Sequence, residues 1–188
     1  MTAAFLGEAS LAAVGLKSCG RDVQLSPHAI LINPQHITLG SRVRIDPFCV
    51  LSAGPAGMGI GDHVHLSVGV CLHGGGGRIE INDFASVSAR CTIYTATDDF
   101  RDGWLSGPTV PLSLRRVETG DVILEPHALV GCGSVVLPGV TLGHGSAVGA
   151  MSLVKQSIPA GALVAGIPAR RIGSRNCERL RALEAELR

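Results

Sequence analysis

Residues 130–154, with the sequence VGCGSVVLPGVTLGHGSAVGAMSLV, carry an aliphatic side chain at every sixth position. A β-strand alternates with a period of two and an α-helix repeats every 3.6 residues, so neither element alone produces this pattern. The fourth residue after each aliphatic one is small or β-branched, which gives a second column with the same period. The stretch therefore predicts short strands separated by tight turns. The aliphatic positions are Val130, Val136, Leu142, Val148 and Val154.

The same period continues through most of the preceding chain, which brings the count to seventeen hexads. Three short strands that form one triangular coil, each coil stacked on the last, explain a period of six. Glycine after many of the aliphatic residues supports tight corners. The predicted fold class is all-β, a left-handed parallel β-helix of hexapeptide repeats with five to six coils and a short helix at each end. A β-sandwich would instead show hairpin signals such as Asn-Gly, which are missing here. The earlier aliphatic positions are Leu25, Leu31, Leu39, Ile45, Leu51, Ile60, Leu66, Leu72, Ile81, Val87, Ile93 and Leu124.

Composition sets the broad class of the protein. A chain of 188 residues with one composition throughout predicts a single domain. The net charge is +1 and the chain has no basic block, which argues against binding to nucleic acid or to a membrane surface. The first residues do not resemble a signal peptide, no apolar run is long enough to span a membrane, and the six cysteines form no CxxC pair. We therefore expect a cytoplasmic protein with free thiols.

The hexads have three long interruptions of nine or more residues, each after the third strand of a coil. Two steps are nine residues long instead of six, and the step from Ile93 to Leu124 is thirty-one. The interruptions should therefore lie at one corner of the prism, and insertions on one face of a solenoid usually mark its binding face. The predicted organisation is an N-terminal cap over 1–20, the β-helix over 21–172 with a protruding loop over 98–118, and an amphipathic C-terminal helix over 173–188.

Several segments resemble known acyltransferases. Residues 130–172, which extend the repeat to SIPAGALVAGIPARRI, resemble the C-terminal half of the xenobiotic, maltose and galactoside acetyltransferases of the hexapeptide acyltransferase superfamily. A narrower resemblance runs from Leu11 to Leu187. Its motifs GLKSCGRDVQLSPHAILINPQHITLGSRVRIDPFCVLS, IYTATDDF, SGPTVP and VETGDVIL are similar to dTDP-4-amino-4,6-dideoxyglucose acetyltransferases of bacterial surface-polysaccharide pathways.

The resemblance implies N-acetylation of the C4 amine of a nucleotide-linked 4-amino-4,6-dideoxy sugar, with acetyl-CoA as co-substrate and no metal. It also implies a homotrimer whose active sites lie between subunits. Such a site must take a proton from the attacking nitrogen, bring that nitrogen to the thioester and stabilise the resulting oxyanion.

The candidate catalytic residues are His65, Asp98 and His127. A neutral imidazole is a suitable base near pH 7, and the narrower family resembles this chain in carrying a histidine at His65. Asp98 stands where the maltose and galactoside branch has its histidine, and a carboxylate there suits a cationic amine. The candidate acceptor-binding residues are His73, Asp99, Arg90 and Arg101, with Arg115 and Arg116 as further arginines able to pair with a pyrophosphate.

The donor residues follow from the same resemblance. Backbone groups near Gly131, Gly149 and Ala150 should bind the pantetheine arm, and Lys155, Arg170 or Arg171 should reach the CoA phosphates. Which basic residue does so stays open.

Three other functions remain open on the sequence alone. A sugar O-acetyltransferase of the maltose, galactoside or xenobiotic type is the main alternative. A γ-class carbonic anhydrase uses the same helix but needs a pair of zinc-binding histidines spaced HxxxxH, and no two histidines here have that spacing. A non-catalytic scaffold is the third.

Overall fold

The computed structural model describes residues 5–187 and is a parallel β-helix with a short helix near each end. The predicted fold class is confirmed. Residues 1–4 of the predicted cap and Arg188 of the predicted C-terminal helix lie outside the described residues. In chain order the elements are α1 (Glu8–Ala12), β1 (Ser18–Cys19), β2 (Gln24–Leu25), β3 (Ile30–Ile32), a 3₁₀ turn (Pro34–His36), β4 (Ile37–Leu39), β5 (Arg44–Ile45), β6 (Val50–Ala53), β7 (Met58–Ile60), β8 (His65–Leu66), β9 (Cys71–Gly74), β10 (Ile79–Ile81), β11 (Ser86–Val87), β12 (Thr92–Tyr94), β13 (Ala96–Asp98), a 3₁₀ turn (Leu112–Leu114), β14 (Val117–Thr119), β15 (Val122–Leu124), β16 (Leu129–Val130), β17 (Val135–Val136), β18 (Thr141–Leu142), β19 (Ala147–Val148), β20 (Leu153–Val154), β21 (Ala162–Gly166), β22 (Ala169–Ser174) and α2 (Cys177–Leu187).

Three parallel sheets form the faces of the prism. The first face contains β1, β4, β7, β10, β15 and β18, and the third contains β3, β6, β9, β12, β17 and β20. The second face contains β2, β5, β8, β11, β16, β19 and β21, and β22 is added to it antiparallel to β21. Each full coil therefore contributes one strand to every face, and the described residues form six such coils.

The aliphatic column of the hexads fills the narrow interior. Leu51, Leu66, Leu72 and Ile93 of this column are completely buried, and so is Cys91 of the second column. Burying one such aliphatic side chain contributes about 1.5–3 kcal/mol relative to leaving it exposed. The interior has room for one layer of medium side chains per coil, which explains why so few aromatic residues occur in the chain.

The corners use the left-handed backbone region, and not only at glycine. Arg42, His63, Phe84 and His127 occupy one corner of successive coils with positive φ angles. Each of them donates its backbone N–H to a carbonyl of the preceding coil. Their side chains therefore form an outward row along that corner.

All three long interruptions lie at the corner between the third and first faces, which we call the loop corner, and the shorter 3₁₀ turn between β3 and β4 lies there too. The long interruptions connect β6 to β7, β9 to β10 and β12 to β15, and the last contains the antiparallel hairpin of β13 and β14. Gly76 packs against the base of this hairpin, because a Cβ there would meet Thr95 and Ala96 at 2.6 Å.

The predicted domain boundaries at 20/21 and 172/173 stay predictions. The strands and helices nearest to them begin and end at other residues. Strand β1 lies within the predicted cap and pairs with β4, with Cys19 opposite Leu39. The hexad pattern missed this strand because cysteine replaces the aliphatic residue. Strand β22 ends at Ser174 and α2 begins at Cys177.

No helix among residues 5–187 is long and apolar enough to cross a membrane.

We predict that Gly40→Ala destabilises the β-helix. A Cβ at Gly40 would meet the backbone carbon of Gly61 at 2.7 Å, and backbone of the next coil cannot move aside cheaply. Overpacking of this kind costs about 1–3 kcal/mol, so the melting temperature should fall by several degrees in thermal unfolding. Gly75→Ala is the matched control, since a Cβ there meets nothing within 4 Å. Equal melting temperatures for the two variants would contradict the prediction.

Candidate active site

The second face carries a charged cluster formed by Arg44, Asp46 and His65. Arg44 and His65 are opposite each other in the register of β5 and β8, so their side chains project from neighbouring coils. Arg44 Nε donates to Asp46 Oδ1 at 2.8 Å, and His65 Nε2 lies 2.8 Å from Asp46 Oδ2. Asp46 is only 8% exposed, whereas the His65 side chain is 42% exposed. The buried Asp46 carboxylate therefore holds a histidine whose ring is partly exposed on the surface of the second face.

Asp46 is ionised in this cluster. Burial by itself would raise the pKa of the Asp46 carboxyl, but the hydrogen bonds from His65 and Arg44 and their positive charges outweigh it, so the pKa falls below its ordinary value of 3.8. A carboxylate only accepts hydrogen bonds, so the proton of the 2.8 Å contact belongs to His65 Nε2.

A row of small residues leads from this cluster toward the predicted donor site. Asp46, Ser67, Ser88, Gly131 and Gly149 occupy the same position in five successive coils, and each donates its N–H to a carbonyl of the following coil. Strands stack at ~4.8 Å, so Gly131 lies about 14 Å along the helix from Asp46. The predicted pantetheine-binding glycines and His65 thus share one face.

At the loop corner, Asp98 and Asp99 pin the long loop. Asp98 Oδ2 accepts from the N–H of Gly107 at 3.0 Å, and Asp99 Oδ2 accepts from the N–H of Asp102 at 2.7 Å. Burial of Asp99, which is 9% exposed, would raise its pKa, but backbone hydrogen bonds, that from Asp102 foremost, and the charge of Arg116 lower it. Asp99 is thus committed to the turn of its own loop, while Asp98 makes no hydrogen bond through Oδ1 to residues 5–187.

Two aromatic rings flank the base of the loop. His73 and Tyr94 are opposite each other in β9 and β12, and their rings stack with centroids 4.9 Å apart. Burial lowers the pKa of His73 below its ordinary value of 6.5, which favours the neutral ring. Arg101 is exposed on the loop, whereas Arg90 is exposed at the corner between the second and third faces.

A cavity of about 360 Å³ lies near the C-terminal end of the β-helix. Lys155 enters it directly after β20, and Arg170 and Arg171 enter from β22. The structure therefore brings together all three basic residues that the sequence nominated for CoA phosphates. Ala150 is exposed, one coil above Gly131.

His127 has a different environment from His65. It is 8% exposed, its ring stacks on Phe84 at 5.0 Å and meets the edge of His144 at 5.4 Å, and its Nε2 lies 2.8 Å from Glu184 of α2. Its carbonyl accepts from Arg175 at 2.9 Å. These contacts give His127 a part in holding α2 on the β-helix.

Among residues 5–187, no group of three or more histidine, cysteine, aspartate or glutamate side chains is arranged to hold a metal ion.

Comparison with known proteins decides the family. A dTDP-4-amino-4,6-dideoxy-D-glucose acyltransferase of Escherichia coli is 39% identical over 173 residues, which are 92% of this chain and 90% of that enzyme. The crystal structure of a point mutant of AntD, an N-acyltransferase from Bacillus cereus, in complex with dTDP-4-amino-4,6-dideoxyglucose and coenzyme A, superposes with a TM-score of 0.94 at 37% identity. The match covers 100% of this chain and 98% of AntD. The chain belongs to the dTDP-4-amino-4,6-dideoxyglucose acyltransferase family. The predicted family is thereby confirmed, and the chain is an acyltransferase with a CoA thioester as co-substrate.

Two more distant similarities are weaker, one because the matched segment is short and the other because the sequence identity is low. A putative lipopolysaccharide biosynthesis O-acetyl transferase of Escherichia coli K12 is 38% identical over 74 residues, or 39% of this chain. A hexapeptide-repeat acetyltransferase of Vibrio cholerae with bound acetyl-CoA superposes with a TM-score of 0.61 at 24% identity, which shows the fold alone. No protein-family model matches the chain.

The sequence analysis missed Asp46, although a signal for it was present. The hexad grid places Arg44 and His65 in one column a coil apart, and Asp46 follows Ile45 where other coils have Ser67, Ser88 or glycine. A lone carboxylate in a row of small uncharged residues is the feature that would have identified it. The roles of the other candidate residues stay predictions.

We predict that Asp46 contributes pH-dependent stability. Its pKa is lower in the folded protein than its ordinary value of 3.8, so the contribution is complete above that value and is lost as pH falls through the folded-state pKa. Urea unfolding should therefore show Asp46→Asn to be less stable than the wild type at pH 6, with the difference shrinking below about pH 4. A difference that stays constant from pH 6 to pH 3 would contradict this.

Proposed function

We propose that this enzyme transfers an acetyl group from acetyl-CoA to the C4 amine of dTDP-4-amino-4,6-dideoxyglucose, for the synthesis of a surface polysaccharide such as O-antigen or capsule. The observation that carries the proposal is the match over the full chain to an enzyme solved with that amino sugar and coenzyme A. The Escherichia coli relative, named for the same sugar, supports it independently.

The donor fits the C-terminal part of the β-helix. Lys155, Arg170 and Arg171 provide three positive charges around one cavity, which suits the phosphates of CoA. From there the pantetheine arm would follow the row of Gly149 and Gly131, where the absence of side chains lets a ligand approach the backbone.

The acceptor is proposed to meet the donor near His65. The neutral amine attacks the thioester carbonyl, the new C–N bond forms and the C–S bond breaks. The proton lost by the attacking nitrogen goes to the His65 imidazole and is returned to the CoA sulfur. Asp98 would attract the amine in its cationic form, with His73 and the exposed Arg90 and Arg101 near the sugar and its pyrophosphate.

These residues need more than one subunit to meet. His65 lies on the second face, whereas Asp98 lies at the opposite loop corner of the same chain. The long loop also exposes apolar side chains, among them Phe100 at 93% and Leu112 at 76%, which a neighbouring copy would cover. We therefore propose a homotrimer with active sites between subunits.

The cysteines among residues 5–187 are all unpaired, which supports a cytoplasmic location.

The first test identifies the acceptor atom. Matched dTDP-sugars that carry either an amine or a hydroxyl at C4 are incubated with acetyl-CoA, and any product is identified by mass and by its stability to mild alkali. We expect a stable amide from the amino sugar and little reaction of the hydroxyl sugar, because an amine is the stronger nucleophile and carboxylates attract its cation. An alkali-labile ester as the sole product would favour the O-acetyltransferase alternative, which the 74-residue match supports.

A parallel reaction with 3-hydroxybutyryl-CoA, the thioester bound in one AntD structure, tests whether the donor is acetyl-CoA.

We also predict that Lys155→Met raises the KM for acetyl-CoA roughly tenfold with little change in kcat, since charge-assisted contacts to a phosphate contribute about 1.5–3 kcal/mol. Acetyl-pantetheine lacks the nucleotide phosphates, so its KM should not change. Lys17→Met is the matched control, because Lys17 is exposed near the other end of the β-helix. An equal effect on both thioesters would mean that Lys155 does not bind a phosphate.

A further inference from the structure

Asp46 places a buried carboxylate at a position where the fold does not require a charged residue. Corresponding positions in the neighbouring coils are held by Ser26, Ser67 and Ser88, which leave the second face uncharged there. Burying a charge is costly unless it is paired and hydrogen-bonded. Both oxygens of Asp46 are paired, one with Arg44 and one with His65, so the carboxylate is held in a single orientation.

That orientation determines which nitrogen of His65 carries a proton. The ionised carboxylate accepts from Nε2, so a neutral His65 has its lone pair on Nδ1. No hydrogen bond joins Nδ1 to any described residue, and the side chain is 42% exposed. Nδ1 is therefore available to a ligand outside the chain.

We propose that Asp46 is a positioning residue that keeps His65 in the tautomer with the proton on Nε2, so that Nδ1 accepts the proton of the acceptor amine. This inference rests on the proposed function, in which His65 is the base. Arg44 has a separate part, because its Nε–H must face an acceptor and therefore determines which oxygen of Asp46 faces the histidine.

Because the Arg44 Nε–H also orients the side chain that replaces Asp46, the substitution that changes the shape of this side chain less should disturb the His65 tautomer more. In Asp46→Asn, the amide oxygen faces Arg44 and the amide NH₂ faces His65, so Nε2 must accept and the proton moves to Nδ1. The base is then in the wrong tautomer, as happens when the aspartate of a Ser-His-Asp triad is replaced by asparagine. In Asp46→Ala, Nε2 meets water and both tautomers are populated.

We therefore expect Asp46→Asn, which hardly changes the shape of the side chain, to be less active than Asp46→Ala. General base catalysis contributes about 10²–10⁴-fold, so kcat should fall at least about 10²-fold in Asp46→Asn and only about 10-fold in Asp46→Ala, with the KM values within about threefold of wild type. A merely structural role predicts the reverse order, because alanine leaves a cavity and removes both hydrogen bonds of Asp46. Asp62→Asn is the matched control, since Asp62 Oδ1 accepts from the backbone N–H of Ser41 and asparagine can do the same.

Two further measurements separate this inference from the proposed function. In a His65→Asn background, Asp46→Asn should cause no additional loss of kcat. The ¹⁵N NMR spectrum of the His65 ring, which needs no substrate, should show the proton on Nε2 in the wild type and on Nδ1 in Asp46→Asn. If no amide forms from the amino sugar with any variant, the proposed function fails while the NMR result still decides the tautomer. Full activity of His65→Asn, an Asp46→Asn enzyme at least as active as Asp46→Ala, or an unchanged tautomer would each overturn the inference.

Discussion

The hydrogen bonds from each coil to the next are the constraint on which the rest of this molecule depends. They lock every strand in register with the corresponding strand one coil away, so residues that share a position in the hexad lie above one another at ~4.8 Å. Most inward positions are then aliphatic, because the interior of each coil is narrow, and polar side chains that fit there are small ones such as Ser134 and Ser146. The outward positions are free of that demand. Outward side chains therefore occur in rows, such as Arg44 below His65 and His73 below Tyr94.

The corners allow what the faces do not. A face cannot accept an extra residue without losing its register, whereas a corner can extend outward and return, as the chain does between β12 and β15. The excursion is closed by the β13–β14 hairpin and stabilised from within by Asp98 and Asp99, which accept backbone N–H groups of the loop. A rigid scaffold thus carries a loop with exposed apolar side chains, among them Phe100 and Leu112.

Several of the buried polar side chains are held by specific partners. Asp46 is held by Arg44 and His65, and His127 is held by Glu184. The second pair joins α2 to the corner row of the β-helix, together with the Arg175 guanidinium, which donates to three carbonyls of two coils. The same residue type therefore has two environments. His65 is half exposed beside the row of small residues, and His127 is enclosed beneath a helix.

The sequence by itself determined the β-helix and the corner that carries the loop, because a six-residue period depends only on neighbouring coils and on inward packing. The family resemblance added the chemistry. Tertiary structure alone decided that Asp46 holds His65, that His127 lies under α2, and that β22 turns back antiparallel on β21. These features depend on where long side chains and a terminal helix come to rest, and no short-range periodicity records that. Asp46 shows the difference most clearly, since its position in the hexad was readable but its two partners became evident only when the coils were stacked.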